Sequence, residues 1–256
     1  MTPGLNGQKK WIGNATFGDL TVIWAKDVAD GQVKGFVVEN SSPGFTADKQ
    51  EHKIALRIVQ NALITLDNVR VPEHNRLQGA NTFKDTAEVL RLTRAGVAWM
   101  AVGCARGAYE NALRYACARE QFGRPIGGFQ LVQDLLVRML GNITSSLALC
   151  ARLSQLQDQG HAEDRHSSLA KAFCTVRMRE TVGWARELMG GNGILLEHNV
   201  GRFVATRKRS TPTRHQGDEH PDRRTVVDRT QRLRMTPACA RDTVPANLRR
   251  ARTRPT

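Results

Sequence analysis

The chain has 256 residues and a formal net charge of +14. It contains no run of about 18 apolar residues, so we expect no membrane-spanning helix. The first residues lack the apolar core of a signal peptide, and the five cysteines form no Cys-x-x-Cys pair. These features favour a reduced, cytoplasmic protein and argue against a disulfide framework or a metal site.

The positive charge is concentrated at one end of the chain. Residues 206–256 contain 14 Lys or Arg against 5 Asp or Glu, five prolines and no aromatic residue. This composition predicts a disordered basic tail. A basic arm can bind nucleic acid through phosphate contacts, but this one offers no aromatic side chain for stacking on bases, so a nucleic-acid partner is the less favoured alternative.

Strand signals occupy the first part of the chain. The runs LTVIWAK (20–26) and KGFVVEN (34–40) are rich in β-branched and aromatic residues and flank a turn. The segment NALITLDNVRVP (61–72) alternates in polarity and ends at a proline. We predict a β-domain over residues 1–76, or the part of one that this chain contains.

From about Phe83 the apolar spacing becomes helical. Three long helices are predicted, over residues 85–120, 128–160 and 166–191. Ser167 or Ser168 is the expected cap of the third helix, and Gly190 its end. Short connections between long helices predict a bundle over residues 77–205. The fold class is therefore α+β and multi-domain: a partial β-domain, an all-α bundle and a disordered basic tail.

Four segments together resemble the acyl-CoA dehydrogenase family. In chain order they are LNGQKKWIGNATFGDLTVIWA (5–25), VRVPEHNRLQG (69–79), REQFGRPIGGFQ (119–130) and ELMGGNGI (187–194). Their order and spacing match the family as well. The chain is most similar to the branch of glutaryl-CoA dehydrogenases and short-chain acyl-CoA oxidases, judged from KIALRIVQN (53–61) and from Glu187.

The resemblance implies an FAD-dependent α,β-dehydrogenation of a short acyl-CoA. In that reaction the α-proton goes to a base and the β-hydride goes to flavin N5. The resemblance also implies an electron-transfer flavoprotein or oxygen as the electron acceptor. It further implies a homo-oligomer, a tetramer in the family, with each flavin at a subunit interface.

The resemblance assigns one group of residues to the cofactor and Arg94 to the substrate. The cofactor group is Trp11, Ile12, Gly13, Arg119, Phe122, Gln130, Glu187, Gly190 and Gly191. An indole offers a flat apolar face to a flavin ring, a guanidinium suits a pyrophosphate, and glycines let a ligand approach the backbone. The ordinary alternatives are a core tryptophan, solvated polar side chains, a helix cap at the glycines and, for Arg94, an ion pair between helices.

In the family, Arg119 and Gln130 reach the flavin of a neighbouring subunit, Phe122 packs beside it, and the Gly190–Gly191 pair lines its adenosine end. These roles come with the resemblance. The spacing of the residues alone does not establish them.

The family reaction needs a carboxylate base aimed at the substrate α-carbon. In this branch the base is the glutamate of a Tyr-Glu-Gly-Thr segment that follows Gly-Arg-Phe-Val-Ala-Asp. The present chain has GRFVA (201–205) but no Tyr-Glu-Gly-Thr anywhere. We also expect the family's amino-terminal helical domain and first strands to be absent. No catalytic residue is therefore retained, and we expect the chain to be inactive.

Two single-base slips explain the tail. Codons for residues 205–214, read from the third base of the Ala205 codon, allow Asp-Ala-Glu-Ala-Ile-Tyr-Ser-Tyr-Glu. A second slip at Arg214 allows Gly-Thr to follow, and any coding of Met235–Thr236 then contains a stop codon. We predict that the tail is an out-of-frame reading of the family's carboxyl terminus. A non-catalytic protein that associates with partner subunits remains an alternative.

Overall fold

The computed structural model describes residues 4–206. The first part is antiparallel sheet, with strands β1 (Gly4–Gly13), β2 (Leu20–Lys26), β3 (Val33–Glu39), β4 (Phe45–Lys49) and β5 (Asn61–Arg70). Strands β1, β5 and β4 form one sheet in that order, and β2 pairs with β3 in a hairpin. The buried faces meet in one core that includes Ile23, Val38, Ile64 and Val69.

The predicted strand over residues 20–26 is confirmed. The strand predicted at 61–72 ends at Arg70, and the strand predicted at 34–40 spans Val33–Glu39. Strand β4 was missed because its sequence, FTADK, carries almost no apolar pattern. It is an edge strand that buries only Phe45. An edge strand of this kind takes its conformation from backbone pairing with β5 rather than from its own side chains.

The second part is a helical bundle. Its helices are α1 (Phe83–Ala118), α2 (Gln130–Asp158), α3 (Asp164–Leu188) and the short α4 (Val200–Thr206), and a small hairpin of β6 (Glu120–Gln121) and β7 (Arg124–Pro125) joins α1 to α2. This arrangement of sheet followed by long helices confirms the predicted fold class for the described residues.

Helices α1 and α3 run in the same direction. Near the start of α1, Arg91 donates to the carbonyl of Ala162, just before α3. Near the end of α1, the Tyr115 hydroxyl accepts a hydrogen bond from Asn192, just after α3. A stripe of alanines on α1, fully buried at Ala98, Ala101, Ala108, Ala112 and Ala116, lies in the bundle core. Side chains this small let neighbouring helix backbones approach closely.

The predicted serine cap of the third helix is wrong. Helix α3 begins at Asp164 with Glu163 at the N-cap, whose backbone N–H donates to Nδ1 of His166 at 3.0 Å. Ser167 lies fully buried inside the helix. The sequence alone did not identify the cap, because Ser, Glu and His can all satisfy a free backbone N–H at a helix start. Ser167 does not take this role, since it is buried inside the helix. Gly190, with φ of 56°, does follow the end of α3.

Two glycines of α1 provide a test of how the bundle closes. A Cβ at Gly107 would lie 2.7 Å from the ring of Phe203 on α4, whereas a Cβ at Gly103 meets nothing within 4 Å. We expect Gly103→Ala to raise the free energy of unfolding by about 1 kcal/mol through helix propensity alone. Gly107→Ala gains the same propensity but displaces Phe203, so its net effect is destabilising. Urea unfolding measures both, and equal stabilisation by the two variants would contradict this packing.

Candidate functional site

Trp11 lies at a bulge in β1. The pairing of β1 with β5 shifts between Lys10 and Ile12, and Trp11 takes a left-handed φ of 66°. Its side chain is 51% exposed, so it is not a core tryptophan. A bulky side chain at positive φ is strained, and strain of this kind clusters at functional sites. The bulge presents an aromatic face to solvent, with Nζ of Lys10 lying 5.8 Å from the ring centroid.

The two residues after Trp11 differ in their surroundings. Ile12 is partly buried and packs against the sheet core. Gly13 pairs with Asn61, and a Cβ built on it meets nothing within 4 Å. The space above Gly13 is therefore open, next to the exposed indole.

Arg119 immediately follows α1. Its backbone N–H donates to the Tyr115 carbonyl at 2.8 Å, and its carbonyl accepts from Ile126 at 2.8 Å, so the backbone is fixed. The guanidinium is exposed, and no carboxylate within residues 4–206 pairs with it. The structure thus holds an available cation at a defined place, at the end of α1.

The small hairpin after Arg119 exposes an aromatic ring. Its two turn residues, Phe122 and Gly123, both have positive φ, 53° and 75°. That pair of values matches the two-residue turn that joins tight hairpins. The Phe122 ring is 89% exposed and meets Phe129 edge-on at 6.0 Å. An exposed, strained phenylalanine has no folding purpose that the described residues supply.

Phe129, which meets this ring, and Arg124 were not among the residues predicted from the sequence. The guanidinium carbon of Arg124 lies 4.2 Å from the Phe129 ring centroid, so these side chains form a stacked cation–aromatic pair. Gln130 follows as the exposed first residue of α2. The dipeptide Arg124–Pro125 ahead of a helix start was the available sequence signal for Arg124. One sequence does not show that the Arg124 side chain stacks on the Phe129 ring.

The glycine turn after α3 lies at the same end of the bundle. The side-chain amide of Asn192 donates to the Tyr115 hydroxyl at 2.8 Å, four residues before Arg119. A Cβ at Gly190 or Gly191 meets nothing within 4 Å, so a ligand has room there. Gly193 differs, since a Cβ there would lie 2.5 Å from the Arg186 carbonyl. The backbone of Gly193 therefore packs on α3, and this glycine has a structural role.

Glu187 is exposed on the last turn of α3 and lines a cleft of about 520 Å³. The other lining residues are Arg179, Glu180, Gly183, Trp184, Arg186 and Val204. The cleft combines two arginines, two glutamates and the side of an indole. Its lining is polar except for Gly183, the Trp184 indole and Val204. In the sequence, the lining residues Arg186 and Glu187 closely precede the glycine turn.

Arg94 is half-buried on α1 beside Lys171 of α3. Burial, and then the charge of Arg94, lower the pKa of the Lys171 ammonium. Neither cation has a carboxylate partner within residues 4–206. The interhelical ion pair that was the ordinary alternative for Arg94 is therefore not formed there. A partly desolvated ammonium near a second cation favours a bound anion.

The candidate residues fall into two groups. Arg94 lies in the first turns of α1, and the sheet attaches at this end through backbone hydrogen bonds from Gly35 to Ala80 and from Leu77 to Gly35. Arg119 lies beyond the other end of α1, about 38 Å away at the rise of an α-helix. We call Trp11, Ile12, Gly13 and Arg94 the sheet-end group. We call Arg119, Phe122, Gln130, Glu187, Gly190 and Gly191 the hairpin-end group.

Within the part of the chain described, no cluster of three or more His, Cys, Asp or Glu is placed to hold a metal ion. No helix over that same range is both long and apolar enough to span a bilayer.

Two family models match the chain. The acyl-CoA dehydrogenase middle domain matches residues 3–69, and the acyl-CoA dehydrogenase C-terminal domain matches residues 83–212. The chain belongs to the acyl-CoA dehydrogenase family.

Curated relatives and solved structures agree with this assignment. Subunit CarC of the caffeyl-CoA reductase–Etf complex of Acetobacterium woodii is 32% identical over 78% of this chain and 54% of its own length. The mitochondrial very long-chain specific acyl-CoA dehydrogenase of Macaca fascicularis is 34% identical over 78% of this chain and 32% of its own.

Among solved structures, glutaryl-CoA dehydrogenase from Mycobacterium smegmatis superposes with a TM-score of 0.78 at 37% identity, covering 81% of this chain and 53% of that one. A second structure of a glutaryl-CoA dehydrogenase from the same organism, at 30% identity and TM-score 0.78 over the same shares, is a complex with FADH2. The chain spans about half the length of most of the relatives it matches.

The segment predicted to be read out of frame lies outside the described residues, apart from Thr206. The frame-shift interpretation and the nucleic-acid alternative for the tail therefore stay predictions.

The strain at Trp11 is testable without a ligand. Trp11→Gly removes a bulky residue from a left-handed conformation that costs about 1–2 kcal/mol, so we expect it to raise the free energy of unfolding by up to about 1 kcal/mol. Gln8→Gly, at a regular paired position of the same strand, should lower that free energy by about 0.5–1 kcal/mol. If urea unfolding shows both variants equally destabilised, Trp11 is not strained.

Proposed function

We propose that this chain contributes to an FAD-dependent acyl-CoA dehydrogenase in which each flavin site is completed by two copies. The proposal rests on the separation of the sheet-end group from the hairpin-end group along α1. The sheet-end group suits the flavin ring and substrate, and the hairpin-end group suits the rest of the dinucleotide. Arg94 and Arg119 are about 38 Å apart along the 36-residue α1, and the sheet that carries Trp11 attaches at the Arg94 end. Association of copies brings the hairpin end of one against the sheet end of another.

The available side chains fit FAD. The exposed indole of Trp11 and the open space at Gly13 offer a stacking face and room for a ring system. The exposed guanidinium of Arg119 and the first turn of α2 at Gln130 offer donors and positive potential for a pyrophosphate. Gly190 and Gly191 leave their backbone accessible. FAD, when bound, supplies the hydride acceptor for the acyl thioester.

Arg94 and Lys171 are the proposed anchor for the acyl-CoA. The charge of Arg94 lowers the pKa of the Lys171 ammonium, and within residues 4–206 neither side chain is paired with a carboxylate, so a bound anion would stabilise both charges. An acyl-CoA carries phosphates and a polarised thioester, so it provides such a partner. We therefore assign Arg94 to substrate binding and Lys171 to the support of Arg94.

We further propose that the chain with this sequence does not turn over substrate. The α-proton needs a carboxylate acceptor within hydrogen-bond reach, and the family's Tyr-Glu-Gly-Thr segment does not occur in the sequence. The two cations at Arg94 and Lys171 cannot replace it, because an ammonium and a guanidinium donate protons rather than accept them at neutral pH.

A mixing experiment tests the shared site. Trp11→Ala and Arg119→Ala should each weaken FAD binding at least about 10-fold, since each removes a stacking face or a charge-assisted contact. When the two variants are co-expressed, each mixed pair regains one intact site, so about a quarter of sites should bind FAD tightly. Flavin absorbance per chain measures the fraction restored.

The matched control mixes Arg119→Ala with Gln130→Ala. Both residues belong to the hairpin-end group, so every mixed site stays defective and no binding returns. No restoration in the first mixture would show that the site lies within one copy. Restoration in this control would show that Arg119 and Gln130 do not serve the same half of one site.

Turnover provides a second test. Incubated with FAD and butyryl-CoA without oxygen, the chain should leave the flavin yellow. Resequencing the gene around codons 205 and 214 tests the frame directly. If the restored frame encodes Tyr-Glu-Gly-Thr, that longer product should bleach the flavin, and its Glu→Gln variant should not. Bleaching by the chain as it stands would contradict our account of the missing base.

A further inference from the structure

Two thiols face each other inside the bundle, on side chains that the flavin and substrate groups do not use. Cys150 on α2 and Cys174 on α3 have their Sγ atoms 3.6 Å apart. They are 0% and 1% exposed. Cys174 Sγ also lies 3.7 Å from the carbonyl oxygen of Ser146, one turn before Cys150. The two thiol side chains therefore contact each other between α2 and α3 in the core.

We propose that Cys150 and Cys174 form an oxidisable dithiol, which a small neutral peroxide converts into a disulfide joining α2 to α3. The inference is independent of the proposed flavin site. The two sulfurs need to approach by about 1.5 Å to reach bonding distance.

The buried surroundings raise the pKa of both thiols. Burial, followed by the neighbouring Cys174, raises the pKa of the Cys150 thiol to about 12. Burial also raises the pKa of Cys174, but there the hydrogen bond from Cys150 acts in the opposite direction. Either sulfur can attack the peroxide and gives the same disulfide, and Cys174 is taken as the attacking one here.

The reaction balances with one peroxide. The Cys174 sulfur attacks one oxygen of hydrogen peroxide, the O–O bond breaks, and a sulfenic acid and one water form. The Cys150 sulfur then attacks the Cys174 sulfur, the S–O bond breaks and a second water leaves. Two thiols are oxidised by two electrons, peroxide is reduced, and the two thiol protons end in water.

Burial makes the pair selective for its oxidant. Hydrogen peroxide is small and uncharged, so it can enter a packed core through small fluctuations. Glutathione disulfide is large and charged and cannot. A rise in pKa from 9.0 to about 12 also leaves about a thousandfold less thiolate at neutral pH. The pair should therefore react more slowly than the exposed Cys117.

Peptide mapping of the full chain tests the proposal. Exposed thiols are first blocked with N-ethylmaleimide under native conditions, and Cys117 should be modified while Cys150 and Cys174 are protected. Hydrogen peroxide is then added, and the chain is unfolded and digested with trypsin. We expect residues 139–152 joined to residues 172–177, with the mass of the two peptides less two hydrogens, and separated again by dithiothreitol.

Two controls sharpen the outcome. Glutathione disulfide at the same concentration should give at least tenfold less of the joined peptide, and Cys174→Ala should abolish it while Cys117→Ser leaves it unchanged. The proposal is overturned if peroxide leaves both thiols free. It is also overturned if Cys150 and Cys174 are oxidised without being joined, or if glutathione disulfide joins them as fast as peroxide does.

Discussion

The close packing of α1 in the bundle core is the constraint on which the rest of the structure depends. Fully buried alanines along α1 leave no space for larger side chains, so this helix can lie close to α3 over most of its length. A helix held in this way is a rigid spacer of 36 residues. It fixes the sheet with Trp11 at one end, and the hairpin with Phe122 at the other. In the proposed function, this length is the reason why a second copy completes each flavin site.

Both ends of the spacer show side chains that folding alone does not explain. Trp11 and Phe122 combine large exposed aromatic surfaces with positive φ. Arg94 and Lys171 place two cations together in a half-buried position. Each of these features costs stability in the isolated chain, and each is what a bound ligand or a second copy would relieve. In contrast, Cys150 and Cys174 are accommodated fully inside the core and need no external partner.

Much of this architecture could be read from the sequence, for identifiable reasons. Helices α1 to α3 are long and strongly periodic, and β2 and β5 carry β-branched or alternating residues, so local pattern and tertiary packing agree. Strand β4 was not predicted, because its backbone pairing with β5 determines it rather than its own side-chain pattern. The N-cap at Glu163 was not predicted, because several neighbouring residues can satisfy a free backbone N–H at this helix start. The pairing of Cys150 with Cys174 and the stacking of Arg124 on Phe129 depend on how helices and loops come together, which spacing in one sequence does not specify.

A structure of the chain with FAD bound would test the central claim most directly. Our account predicts that the isoalloxazine ring lies against Trp11 and Gly13 of one copy, while Arg119 and Gln130 of a second copy contact the pyrophosphate or adenosine half of the same molecule. If one copy supplied both the indole and the guanidinium to a single FAD, the spacer argument based on α1 would be wrong.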